Sequence, residues 1–96
     1  MKIVIALGGN ALVKKGEKPT IASQFKFVKN ALKFIPQLVK QGHNIVLTFG
    51  NGFQVGNILI RVEESLGKAD SLPLDVCVAE SEGEIGYLIE QALYNI

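Results

Sequence analysis

The sequence has one cysteine, one histidine, one methionine and no tryptophan in 96 residues. A lone cysteine, Cys77, cannot close an intrachain disulfide, so the expected setting is the reducing cytoplasm. The same scarcity leaves no His/Cys constellation with metal-ligand spacing, and no Ser-His-Asp or Cys-His pairing stands out. A dominant charge is missing as well. Ten Lys+Arg against nine Asp+Glu give a net charge of +1 without blocks of one sign, which offers no electrostatic pull toward nucleic acid or acidic lipid. Long apolar runs are also absent. The run near the start, Ile3 to Leu7, ends in Gly-Gly-Asn and falls far short of the roughly 20 residues that a membrane span needs. It also lacks the small-residue cleavage pattern of a signal peptide, so it reads as a buried strand.

What is present fits one small globular domain, with 48% hydrophobic and 20% charged residues. Ile3-Val4-Ile5-Ala6-Leu7 and Ile45-Val46-Leu47-Thr48-Phe49 are apolar without alternation, as expected of strands covered on both faces. Between them, Ile21, Phe25, Val28, Leu32 and Ile35 recur at helical steps, with Thr20 as N-cap and Gly42 as the stop. Pro36 should kink this helix or end it early, because it removes a donor and crowds the preceding turn. After the second strand, Val55, Ile58 or Leu59, Val62 and Leu66 share a helical face, and "GKADSLP" reads as a loop. From Asp75 a third helix is expected, with Val76, Ala79, Ile85, Leu88, Ile89, Ala92 and Leu93 facing a core. Gly83 and Gly86 within it suggest close packing against another backbone.

The order strand, helix, strand, helix, helix predicts an α/β fold of βαβαα form. Two strands buried on both faces make a poor sheet alone, and the last residues run in a helical pattern without a cap signal. The expectation is the first part of a larger α/β domain, or a chain whose open sheet edge another chain covers.

Both strands run into glycine and asparagine: Gly8-Gly9-Asn10 after the first, Gly50-Asn51-Gly52 after the second. Parallel α/β sheets bind ligands at the carboxyl ends of strands, where such loops meet helix N-termini. Backbone amides there, with the positive end of the helix dipole, suit an oxyanion. Asn10 and Asn51 would add uncharged amide donors. The plainer reading is a pair of tight turns, with glycine for backbone freedom and asparagine for local hydrogen bonds. Two such loops at equivalent strand ends favour the anion site.

Named alternatives fit less well. Gly50-x-Gly52-x-x-x-Gly56 is one residue off the dinucleotide fingerprint, and Asp70, at about the right distance, follows a helix rather than a strand. No segment matches a P-loop. His43 reads as a surface turn residue and Cys77 as a small buried hydrophobe. "ESEGE" reads as a solvated surface in which Glu80 is the best inward candidate, and no metal site is expected.

Four stretches, "ALGGNAL", "TFGNGFQVG", "PLDV" and "AESEGEIGYLIEQAL", in this order and spacing, resemble the amino-terminal third of carbamate kinase, in the amino-acid kinase superfamily. The resemblance covers nearly the whole chain, so residues 1–96 would be the acceptor- and phosphoryl-binding part of such a domain, without the nucleotide-binding lobe. It implies a three-layer αβα sandwich, a cytoplasmic homo-oligomer, and reversible phosphoryl transfer between ATP and carbamate that gives ADP and carbamoyl phosphate. Gly8, Gly9 and Asn10 would be one phosphoryl-binding loop, and Gly50, Asn51 and Gly52 the other. The family's catalytic lysines and its ATP and Mg2+ site would lie outside these residues, leaving the chain inactive alone.

Where the family usually has "THGNGPQVG", this chain carries Phe49 for the histidine and Phe53 for the proline. Those changes bear on whether carbamate is the acceptor. Glu82 and Glu84 replace usually uncharged residues near the family's subunit contact. Two other readings follow from the residues: a non-catalytic module that binds a small anion or pairs with another subunit, and a kinase for a different small acid.

Overall fold

A computed structural model describes residues 1–8 and 20–96. The element order is β1 (Lys2–Leu7), α1 (Ile21–Ala31), α2 (Ile35–Lys40), β2 (Asn44–Phe49), α3 (Gly52–Glu64) and α4 (Leu74–Tyr94). Two compact units contain them: Met1–Gly50 with Leu88–Ile96, and Asn51–Tyr87.

In the first unit, β1 and β2 pair in parallel, from Lys2↔Asn44 to Leu7↔Phe49. The helical segment between them breaks as the proline predicts. Thr20 caps α1, its Oγ1 accepting from the Ser23 N–H at 3.1 Å while the Ser23 hydroxyl donates to the Thr20 carbonyl at 3.0 Å. α1 stops at Ala31, and Pro36 then sits in the first turn of α2, where its missing N–H costs little. α2 closes in a Schellman motif: the Gly42 N–H donates to the Val39 carbonyl at 3.0 Å and the His43 N–H to the Leu38 carbonyl at 3.2 Å. Gly42 takes φ +86° there, which a side chain would resist.

Leu7, Val28, Leu32 and Ile35 are buried in this unit, as are Leu88, Ile89 and Ala92. The expectation of strands covered on both faces does not hold. Ile3, Ile5 and Leu7 of β1 and Ile45, Leu47 and Phe49 of β2 turn to the covered side, while Val4 is 68% exposed and Val46 53%. Successive strand residues point to opposite faces, so one layer of helices covers only alternate positions. The element order is the α/β start that the sequence predicts, with the single helix expected between the strands divided in two.

The second unit packs α3 and the amino-terminal part of α4. Its buried residues are Gln54 and Ile58 from α3 and Cys77, Ser81 and Ile85 from α4. The inward stripe of α4 therefore steps by four through 77, 81 and 85. Val76 and Ala79, expected in the core, lie outside it. A Cβ built on Gly83 or Gly86 would meet nothing within 4 Å, so neither glycine permits a close backbone approach among the described residues. Of the alternatives Ile58 and Leu59 on the predicted face of α3, Ile58 is the buried one; Leu66, expected on the same face, is exposed.

Candidate functional site at the start of α3

β2 delivers the chain directly into α3, so one predicted anion loop becomes a helix N-terminus. Asn51 is the N-cap, with φ −134° and ψ 15°, and its carbonyl accepts the Val55 N–H at 2.9 Å. An N-cap asparagine ordinarily folds its side-chain oxygen onto the first turn. Asn51 makes no such bond. Its Nδ2 instead donates to the Ser81 Oγ at 3.0 Å, and the Ser81 hydroxyl donates to the Val78 carbonyl at 2.6 Å.

The N–H groups of Gly52 and Phe53 have no hydrogen-bond partner among the described residues. The first turn of α3 also carries no Asp or Glu. Among the described residues, the Gly52 and Phe53 amides at the positive end of this 13-residue helix thus meet no oxygen that offsets them. Gly52 itself is exposed, has no positive φ, and would place a Cβ in open space. Neither turn geometry nor packing within the described residues demands glycine there.

The other predicted site residues fall as follows. Gly8 and Gly50 each follow directly on the paired residues Leu7 and Phe49, so the parallel register sets them at the same end of the sheet. Gly8, too, has no positive φ and would place a Cβ in open space. Gly9 and Asn10 lie outside the described residues. Phe49 ends β2 half-buried, and Phe53 is 49% exposed in the first turn of α3.

Ser81 is the functional candidate that sequence reading missed. Its one signal was its place between Cys77 and Ile85, a hydroxyl on an otherwise apolar stripe. Glu80, the expected inward carboxylate, is exposed. It lines a cavity of about 280 Å³ with Arg61, Asp70 and the apolar side chains of Ile58, Val62 and Leu72, toward the carboxyl end of α3. Asp70 thus has neither the preceding strand nor the position of a ribose-binding carboxylate. His43, expected as a surface turn residue, is half-buried, with Nδ1 enclosed and without a hydrogen-bond partner among the described residues. Cys77 is fully buried, its thiol 3.9 Å from the Leu72 carbonyl. Among the described residues, no group of three or more His, Cys, Asp or Glu side chains could hold a metal ion, and no helix is long and apolar enough to cross a membrane.

A parallel β1-β2 sheet with helices between and after its strands defines an α/β fold, and the glycines after both strands stand at the end where folds of this class bind ligands. Comparison with known proteins narrows the class: in sequence and in fold, the chain matches the amino-terminal part of carbamate kinases. It is 44% identical over 96 residues to carbamate kinase of Pyrococcus horikoshii, an alignment covering 98% of this chain and 31% of that protein. It is 46% identical over 97 residues to the Rhizobium meliloti enzyme, covering 100% of this chain and 29% of the relative. The structure of carbamate kinase from Giardia lamblia bound to AMP-PNP superposes with a TM-score of 0.90 at 44% identity, covering 98% of this chain and 33% of that one. No family model matches the chain. The chain spans about 30% of the length of the curated relatives it matches.

Proposed function

We propose that this chain forms the acceptor- and phosphoryl-binding part of a carbamate kinase-type phosphotransferase, with Gly8, Gly9, Asn10, Gly50, Asn51 and Gly52 as its anion-binding residues. In the reaction a carbamate oxygen forms a bond to the terminal phosphorus of ATP, the bond to the ADP oxygen breaks, and carbamoyl phosphate results. Phosphoryl transfer asks a protein chiefly for positioning and charge stabilisation. The observation that carries the reading is the start of α3: free N–H groups at Gly52 and Phe53, no acid in the first turn, and a glycine whose missing side chain leaves room for a ligand. Such amides can donate to phosphoryl oxygens without neutralising them, which holds the group while leaving it transferable.

No group of three or more His, Cys, Asp or Glu gathers among the described residues, and no metal-dependent step is assigned to them. Nor is the nucleotide-binding lobe assigned to these 96 residues. Because the chain matches only about 30% of its relatives' length, a second reading follows, in which it binds the anion or pairs with another chain without catalysing transfer.

Titration of the protein with carbamoyl phosphate and with inorganic phosphate, followed through the backbone amide resonances of Asn51, Gly52 and Phe53, tests the site. Saturable shifts are expected, and resonances that stay still at millimolar ligand would overturn it. ATP-dependent synthesis of carbamoyl phosphate by the 96-residue chain alone is expected to be nil; turnover would refute the need for a further lobe.

A further inference from the structure

We infer that Ser81 is a positioning residue, helping to hold the Asn51 side chain off the first turn of α3 and thereby keeping the Gly52 and Phe53 amides open to an oxyanion. The inference rests on the anion-site reading above and names the device that maintains the site.

Asparagine is among the residues most favoured as N-caps because its side-chain oxygen can satisfy the amide two or three positions on. A helix that caps itself in this way has spent its anion site on its own side chain. Asn51 stands at the N-cap and forms no such bond. Two features hold it off: its ψ of 15° lies outside the extended region from which a capping side chain reaches the first turn, and the Ser81 Oγ, 30 positions away, accepts from Asn51 Nδ2 at 3.0 Å. The serine hydroxyl is committed too: its proton goes to the Val78 carbonyl at 2.6 Å, so the face left toward Asn51 is a lone pair. Ser81 has 0% exposure, which keeps water from competing for that lone pair. The side chain of Asn51 is therefore fixed with its amide nitrogen toward α4, and the Phe53 N–H, its first ordinary capping target, remains without a partner.

Removal of the hydroxyl frees Asn51 to turn its ψ toward the extended region and bring its oxygen onto the first turn, where it competes with any incoming phosphate. A cap of this kind shifts the local equilibrium by a few-fold to about thirtyfold, so phosphate affinity should fall on the order of tenfold in Ser81→Ala. Two NMR readouts separate this from a purely structural role. Without ligand, the Phe53 amide should exchange with solvent more slowly in Ser81→Ala than in the wild type. A scalar coupling across a hydrogen bond, from the Phe53 nitrogen to Asn51 Cγ, should appear only in the variant. Ser81→Thr keeps a hydroxyl and should restore phosphate affinity toward the wild-type value.

Ser81→Ala that folds, binds inorganic phosphate as tightly as the wild type and leaves Phe53 exchange unchanged overturns the inference. Should Ser81→Ala fail to fold, the wild type decides: a Phe53–Asn51 Cγ coupling there refutes the arrangement, and a rapidly exchanging Phe53 amide without that coupling supports it. Absence of phosphate binding by the wild type removes the anion-site reading itself. The ligand-free exchange and coupling data would still show whether Ser81 restrains Asn51.

Discussion

Gly52→Ala separates the two reasons a glycine can stand at the head of a helix. If backbone geometry required it, alanine would strain the turn and lower stability. The structure argues otherwise, because Gly52 is the first residue of α3, has no positive φ, and a Cβ there meets nothing within 4 Å. Alanine at a compatible site also narrows the unfolded ensemble, so the substitution should stabilise by about 0.5 kcal/mol. For a domain of this size that raises the melting temperature by about 2–4 °C. The anion site should respond in the opposite sense. A methyl group beside the free amides of Gly52 and Phe53 takes the space a phosphoryl oxygen would fill, and a loss of about 1.4 kcal/mol, or about tenfold in affinity, is expected. Thermal unfolding by circular dichroism and phosphate titration by NMR on the same sample give both numbers. A lower melting temperature would mean that glycine serves the fold. Unchanged phosphate affinity would mean that the open space beside the amides is not used.

Three further substitutions test the frame that holds the site. Leu32→Ala empties a fully buried position in the first unit and should cost about 2–5 kcal/mol, read as a lower urea midpoint with an unchanged slope. Thr20→Ala removes the oxygen that caps α1 and should cost about 1 kcal/mol by the same assay, whereas Thr20→Ser should restore most of it. Gly42→Ala places a side chain at φ +86° in the Schellman turn and should destabilise by more than about 1 kcal/mol, even though its Cβ would meet no neighbour; a neutral result would show that strain is relieved by local rearrangement.

Much of the architecture was legible because each signal was local. Thr20 at a cap, Pro36 inside a helical pattern and Gly42 after a lysine state their conformational consequences within a few residues, and the structure places a helix start, a break and a stop there. The two strands were legible as strands but not in their burial. Val4 and Val46 look like core residues by composition, and whether they are covered depends on a layer that residues within the strands do not encode. In α4 the phase held from Ile85 through Leu88, Ile89 and Ala92, which are buried as expected, and failed in the first turns, where Val76 and Ala79 are exposed. Val76, Cys77, Val78 and Ala79 are all small and apolar, so hydropathy alone allows several faces, and packing chose the one through Cys77 and Ser81.

The candidate site divides along the same line. That Gly50-Asn51-Gly52 would open a helix after a strand could be read from glycine, asparagine and the change of period around them. That the amides would stay open could not, because the sequence around Asn51 alone predicts a self-capping asparagine. The restraint comes from a serine in another helix, and its effect is to cancel a local preference. Asn51 opposes its own propensity where a backbone ψ of 15° and a hydrogen bond to the buried Ser81 hydroxyl both turn it from the cap. Had the cap formed on Phe53, the chain itself would satisfy one of the two free amides and leave Gly52 alone to offer an anion. The chemistry proposed for this chain therefore depends less on the glycines themselves than on where one asparagine side chain is made to point.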